Sequence, residues 1–203
     1  IASTTRRRVT SPKRRPTATL RVRPMTEGIE IHLSRSAALA AFGAADGDPA
    51  DTTGSGGYAG SAGPAGVGLE AAVAHALRAQ GIERAQISLT LLDDAAIHEL
   101  NAQHLGHDYV TDVIAFALWT PEDEVVVGDI YIGVEQAARQ AHDEGIAVDE
   151  ELLRLAIHGT LHVVGFDHPD VAAERAASPM YLEQERLLRE LTGQAADGAH
   201  HGA

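Results

Sequence analysis

Three histidines are spaced to hold one metal ion. His158 and His162 stand four apart in the run LLRLAIHGTLHVVGFDH, which ends at His168. On a helix such residues project from one face, one turn apart. Both imidazoles can then reach one ion at about 2.0–2.1 Å. Gly165 permits a left-handed turn that ends the helix, and the turn brings His168 back to the same point. The chain has no cysteine, so any metal must be held by His, Asp or Glu. Three neutral imidazoles leave a fourth position for water, the catalytic rather than the closed structural pattern. Water held there loses its proton near neutral pH and becomes a nucleophile. One zinc ion per chain is the expectation, and imidazole also suits nickel or another divalent metal. Asp167 can orient a ligand imidazole from behind, and as a turn residue it can equally bond its own backbone. Eleven histidines give a chance match to this spacing odds of roughly a few per cent, and the glycine at the break lowers them. His200 and His201 read as tail, and His32, His75, His98 and His142 as surface residues.

The elements that must position these residues follow from local pattern. A helix leads into the motif from Asp149, Glu150 and Glu151, whose carboxylates complement its dipole, and runs to about Val164. Before it, Leu69–Gln80 reads as a helix capped by Gly81, and AQISLTLL (85–92) alternates as a strand. Asp93 or Asp94 can cap a helix reaching about Gln103. DVIAFALW (112–119) and GDIYIG (128–133) read as strands, with a turn at Pro121–Glu124. Ile114, Phe116 and Trp119 read as sheet core, not as a base-stacking platform. Val134–Glu144 and Ala172–Leu191 read as helices. The expected fold is α+β: a single domain, a small mixed sheet packed against helices, and the metal site on a central helix.

The chain is 203 residues and 44% hydrophobic, enough for one globular domain. Residues 1–24 hold eight of the sixteen basic residues and no acid, and read as a basic disordered tail, with a transit peptide as the alternative. The other eight basic residues face all 29 acidic ones, so the rest of the chain carries a net −21. Such a body repels a phosphate backbone unless a local cation or a metal intervenes. Residues 25–42 form a first strand/helix segment, with its strand near 28–33, and 43–68 are a Gly/Ala/Ser-rich flexible insertion. The metal-dependent hydrolase domain spans 69–191, and 192–203 form a second disordered tail. No apolar run is long enough to cross a bilayer.

Metzincin proteases share the histidine spacing as H-E-x-x-H-x-x-G-x-x-H, with the Glu as general base. That position here is Gly159, so the ligand pattern fits and the peptidase chemistry does not. The run from His158 to His168 instead matches H-G-x-L-H-x-x-G-x-D-H and resembles the YbeY-type endoribonuclease family of ribosomal RNA maturation. Leu100-Asn101, Thr111–Phe116, Gly128-Asp129-Ile130, and Met180, Glu183 and Glu185 resemble further segments of that family. The resemblance covers about residues 69–191. It implies a zinc-dependent, single-strand-specific endoribonuclease with ribosomal RNA and small-subunit components as partners, a cytoplasmic location and no membrane association.

Two features depart from the pattern. His104 and Leu105 stand where the family has a Tyr-Arg pair, and Val110 replaces a Pro. Leucine cannot pair with a phosphate oxygen as a guanidinium does. Arg154, His104 and His107 are candidate substitutes, although Arg154 reads more simply as a solvated helix residue. Thr111 and Asp112 either cap a strand or face the site, and Asp129 could be only a turn former. The expected reaction is phosphodiester hydrolysis by metal-bound water, with His158, His162, His168 and Asp167 as the catalytic group. A non-catalytic assembly factor that keeps its metal, and less favourably a metallopeptidase, are the rivals.

Overall fold

The computed structural model describes residues 28–36, 39, 67–169 and 172–193. The expectations for 1–24, for most of 43–68 and for 194–203 lie outside the described residues. Four strands form one sheet: β1 (Ile29–Arg35), β2 (Ala85–Leu92), β3 (Val113–Ala117) and β4 (Val126–Gly133). Their order is β1-β2-β4-β3, with β1, β2 and β4 parallel and β3 antiparallel on the edge beside β4. The helices are α1 (Leu69–Ala79), α2 (Asp94–Leu105), α3 (Val134–Glu144), α4 (Val148–Val163), a short α5 (Ala172–Arg175) and α6 (Pro179–Thr192). This is the expected α+β arrangement of a small mixed sheet on helices. No helix among the described residues is long and apolar enough to cross a membrane.

Alternation divides the sheet into two faces. Ala85, Ile87, Leu89 and Leu91 of β2 and Val126, Ile130 and Ile132 of β4 are buried on one of them. There they meet α1, α4 and α6 in the main core. The opposite face carries Ser88, Asp129 and Tyr131 and is covered in part by α2, whose Ile97 is fully buried. Asp129 is thus a strand residue, paired in register with Ser88 and Phe116, and not a turn former. Ile114 is buried on this face, and Phe116 packs edge-on against Tyr131 and His104.

Helix α4 touches α1, α3, α6, β3 and β4. Two glycines set how closely it lies on the sheet. A Cβ on Gly159 would sit 2.6 Å from Ile130 Cγ2, and one on Gly128 would sit 2.5 Å from Val163 Cγ1. Both are inside van der Waals contact, so each glycine leaves room for an apolar side chain of the opposing element. Gly159 is therefore packed on the sheet, and a glutamate there would be driven into the core.

Several bounds shift by one or two residues from expectation: β4 begins at Val126 rather than Gly128, β1 runs Ile29–Arg35, and α2 reaches Leu105. Two further differences have a visible cause. The strand at 112–119 stops at Ala117, because Trp119 turns away to donate its indole N–H to Val163 O at 2.8 Å. The single helix expected over 172–191 is broken. Ser178 caps α6 by accepting from Tyr181 N at 3.2 Å, and Pro179 opens the helix at its first turn. A proline is welcome there because its missing N–H would have no helical partner.

Gly159→Val forces branched methyls against Ile130 and should cost about 2–3 kcal/mol by overpacking. Urea denaturation of the two proteins measures this, and an unchanged midpoint would show that α4 can lift from the sheet without penalty.

Candidate metal centre

His158 and His162 lie on α4, and His168 on the segment that follows it. Gly165, at φ 94°, takes the left-handed turn that ends the helix. Gly165 N bonds His162 O at 3.0 Å, and Phe166 N bonds Leu161 O at 2.9 Å. Beyond this turn the chain folds back. Asp167 Oδ1 accepts from the backbone N of His168 at 2.8 Å, which holds the segment rather than an imidazole ring.

The three rings converge. His158 Nε2 lies 3.1 Å from His162 Nε2 and 3.3 Å from His168 Nε2. Each Nδ1 faces an oxygen that can only accept. His158 Nδ1 is 2.7 Å from Gln184 Oε1, His162 Nδ1 is 3.0 Å from Phe166 O, and His168 Nδ1 is 3.2 Å from Pro169 O. All three rings therefore carry their proton on Nδ1, and three Nε2 lone pairs point at one another. Burial, with the neighbouring His162 and His168 adding, pushes His158 down to about 4, so protonation at neutral pH does not relieve the repulsion. Burial also lowers His162. A shared cation does relieve it. The three residues could hold a metal ion, and they fit one by donor type, proton placement and convergence.

The histidines open into a cleft of about 690 Å³. One wall is the edge strand β3, through Val113, Ala115 and Ala117. Asp112 also lines the cleft, and its carboxylate is occupied. Oδ1 accepts from Val113 N at 2.8 Å and from Thr111 Oγ1 at 3.2 Å, and Oδ2 accepts from Gln140 Nε2 at 2.9 Å. Thr111 and Asp112 thus brace the start of β3. Buried Asn101 donates Nδ2 to Tyr109 O at 2.9 Å and so ties down the loop that leads into them.

The candidate cations are placed differently from expectation. Arg154 lines the cleft, but it is no solvated helix residue. Its side chain is 20% exposed and pairs with Glu150, Glu151 and Glu185. His104 packs its ring on Phe116, and His107 stacks on Tyr109. Leu105 lines the cleft and is exposed. His75 is half-buried, 3.4 Å from Glu190, rather than on the surface. Gln184 was not among the expected site residues. Its signal was a buried polar position on the apolar stripe of α6, between Met180 and Leu187-Leu188.

The lowered His158 has a consequence for the metal-free protein. Unfolded histidine binds its proton near 6.5, whereas folded His158 does so only near 4. The unfolded state therefore holds the extra proton between these values. The stability present above 6.5 is lost as the pH falls through this window, by on the order of 2–3 kcal/mol at pH 4.5. Urea titrations of chelator-treated protein at pH 7 and 4.5 should show this loss, and His158→Gln should shrink it. Equal losses in the two proteins would assign the slope to other groups.

The family model described as Endoribonuclease YbeY matches residues 67–192. The Endoribonuclease YbeY of Desulfitobacterium hafniense (strain Y51) is 44% identical over 119 residues, which is 53% of this chain and 76% of that protein. That of Pelotomaculum thermopropionicum is 38% identical over 130 residues, covering 61% and 84% of the two chains. That of Moorella thermoacetica is 44% identical over 124 residues, covering 56% and 78%. The match takes in β2 to β4 and α1 to α6, with all three histidines and the glycine that turns the chain between them, and on that ground the chain belongs to the YbeY endoribonuclease family.

Proposed function

We propose that this protein is a zinc-dependent, single-strand-specific endoribonuclease that acts in ribosomal RNA maturation. The observation that carries the reading is the convergence of the Nε2 atoms of three half-buried histidines beside an open cleft. Its relatives' name supplies the substrate class, and the residues supply the chemistry. His158, His162 and His168 are the ligands. Their Nδ1–H groups are held by Gln184, Phe166 O and Pro169 O, so the rings need no rearrangement to bind. Asp167 fixes the segment that presents His168. A divalent ion in this position supplies Lewis acidity, lowering the pKa of water and stabilising charge on a phosphodiester oxygen. Zinc suits three imidazoles, and nickel is the closest competitor. Ribosomal RNA and components of the small ribosomal subunit are the proposed partners, in the cytoplasm.

Two arginines, Arg154 and Arg175, line the cleft. Arg154 is engaged by three carboxylates, and Leu105 offers methyl groups at the rim. An acidic body adds repulsion. With Arg154 so engaged and Leu105 at the rim, cleavage is weak, and a divalent ion held by the three histidines would supply most of the electrostatic stabilisation. The peptidase alternative is disfavoured by packing, since the position that would need the general base lies against Ile130.

Purified protein should contain close to one zinc per chain, and His162→Ala should remove most of it. Single-stranded RNA should be cut slowly and only without chelator, and casein not at all. Leu105→Arg should raise kcat/KM by about ten- to a hundredfold, the worth of one charge-assisted hydrogen bond of about 1.5–3 kcal/mol. Chelator-insensitive or absent RNA cleavage in both proteins would shift the reading to a non-catalytic assembly factor.

A further inference from the structure

Arg154 stands one turn before His158 on α4, and its guanidinium starts a directed chain of hydrogen bonds. Nε donates to Glu185 Oε1 at 3.0 Å. The same oxygen accepts from Gln184 Nε2 at 2.9 Å. Gln184 Oε1 then meets His158 Nδ1 at 2.7 Å. Each link fixes the next. A guanidinium only donates, and a carboxylate only accepts. Glu185 held by Arg154 therefore obliges Gln184 to turn its NH₂ toward it. The amide must then turn its carbonyl toward His158. A carbonyl only accepts, so His158 carries its proton on Nδ1 and keeps a lone pair on Nε2, where His162 and His168 converge.

We infer that Arg154 is a positioning residue that sets which ring nitrogen of His158 carries the proton, acting through Glu185 and Gln184. This rests on the metal reading above and assigns Arg154 a part other than holding phosphate. Without the guanidinium, Glu185 is free to swing to solvent, since its side chain is 22% exposed. Gln184 can then flip and present NH₂ to Nδ1. His158 answers by moving its proton to Nε2, which faces the other two histidines and blocks a cation. The remaining partners of Arg154, Glu150 and Glu151, hold the guanidinium from its other nitrogens.

The test uses the full chain, zinc alone as ligand, and ¹⁵N resonances of the histidine rings in metal-free protein. Arg154→Met and Glu185→Leu should each weaken zinc binding by about 10- to 100-fold. Each should also move the His158 resonances toward the form protonated on Nε2. Glu185→Gln keeps an oxygen for the Gln184 amide and should recover most of the affinity lost in Glu185→Leu. Glu150→Gln should bind zinc as the parent does. If Arg154→Met fails to fold, Glu185→Leu decides alone, because it leaves Arg154 its other two carboxylates. Parent-like affinity with the proton still on Nδ1 in the folded variants would overturn the inference. So would equal losses in Glu185→Leu and Glu185→Gln, since charge rather than direction would then be acting. Retention of zinc by His162→Ala would instead overturn the metal reading, whatever the relay variants do.

Discussion

Everything at the site depends on how closely α4 lies on the sheet. Gly159 on the helix and Gly128 on β4 remove the two side chains that would hold the elements apart. Ile130 and Val163 fill the space, each packed where the other element has no Cβ. The consequence is rotational as much as translational. With Gly159 fixed against Ile130, the neighbouring positions 158 and 162 must face the cleft beside β3. A helix free to roll by half a turn would bury the histidines and expose the apolar residues. Packing at two glycines thus decides the direction of two imidazoles.

Direction alone does not define a binding group. An imidazole offers either nitrogen, and hydrogen bonding chooses between them. Here three oxygens from three different places make the choice: a side-chain amide on α6, and the backbone carbonyls of Phe166 and Pro169. Two of these lie just after the turn at Gly165. That turn therefore has two effects. It returns His168 to the cluster, and it exposes the carbonyl that holds His162.

The part of this legible in the residues was the local part. Helical spacing placed His158 and His162 together, and Gly165 foretold the break. The strand at 85–92 and the helix at 134–144 followed from period and caps, and have those bounds. The break between α5 and α6 was legible too. Ser178-Pro179 is an N-cap followed by a first-turn proline, and amphipathic periodicity across it outweighed that signal. What could not be read was side-chain partnership across elements. Gln184 and His158 are 26 residues apart, and Arg154 and Glu185 are 31 apart. Arg154 looked like a solvated helix residue because α4 viewed alone has no α6 against it. The sheet order was hidden for the same reason, since β2 pairs with β4 across an intervening strand.

The indole of Trp119 has a consequence of its own. It is the chain's one tryptophan, so the protein emits red-edge ultraviolet fluorescence from a single place. That place is wired to the end of α4, through the bond from indole Nε1 to Val163 O, one residue past His162. The ring is half-buried, and its polar edge is spoken for by a helix carbonyl. Any loosening of that terminus exchanges the carbonyl for water and changes the colour and polarisation of the emitted light. The molecule is built with an optical gauge on the last turn of its histidine helix, and reading it requires no label.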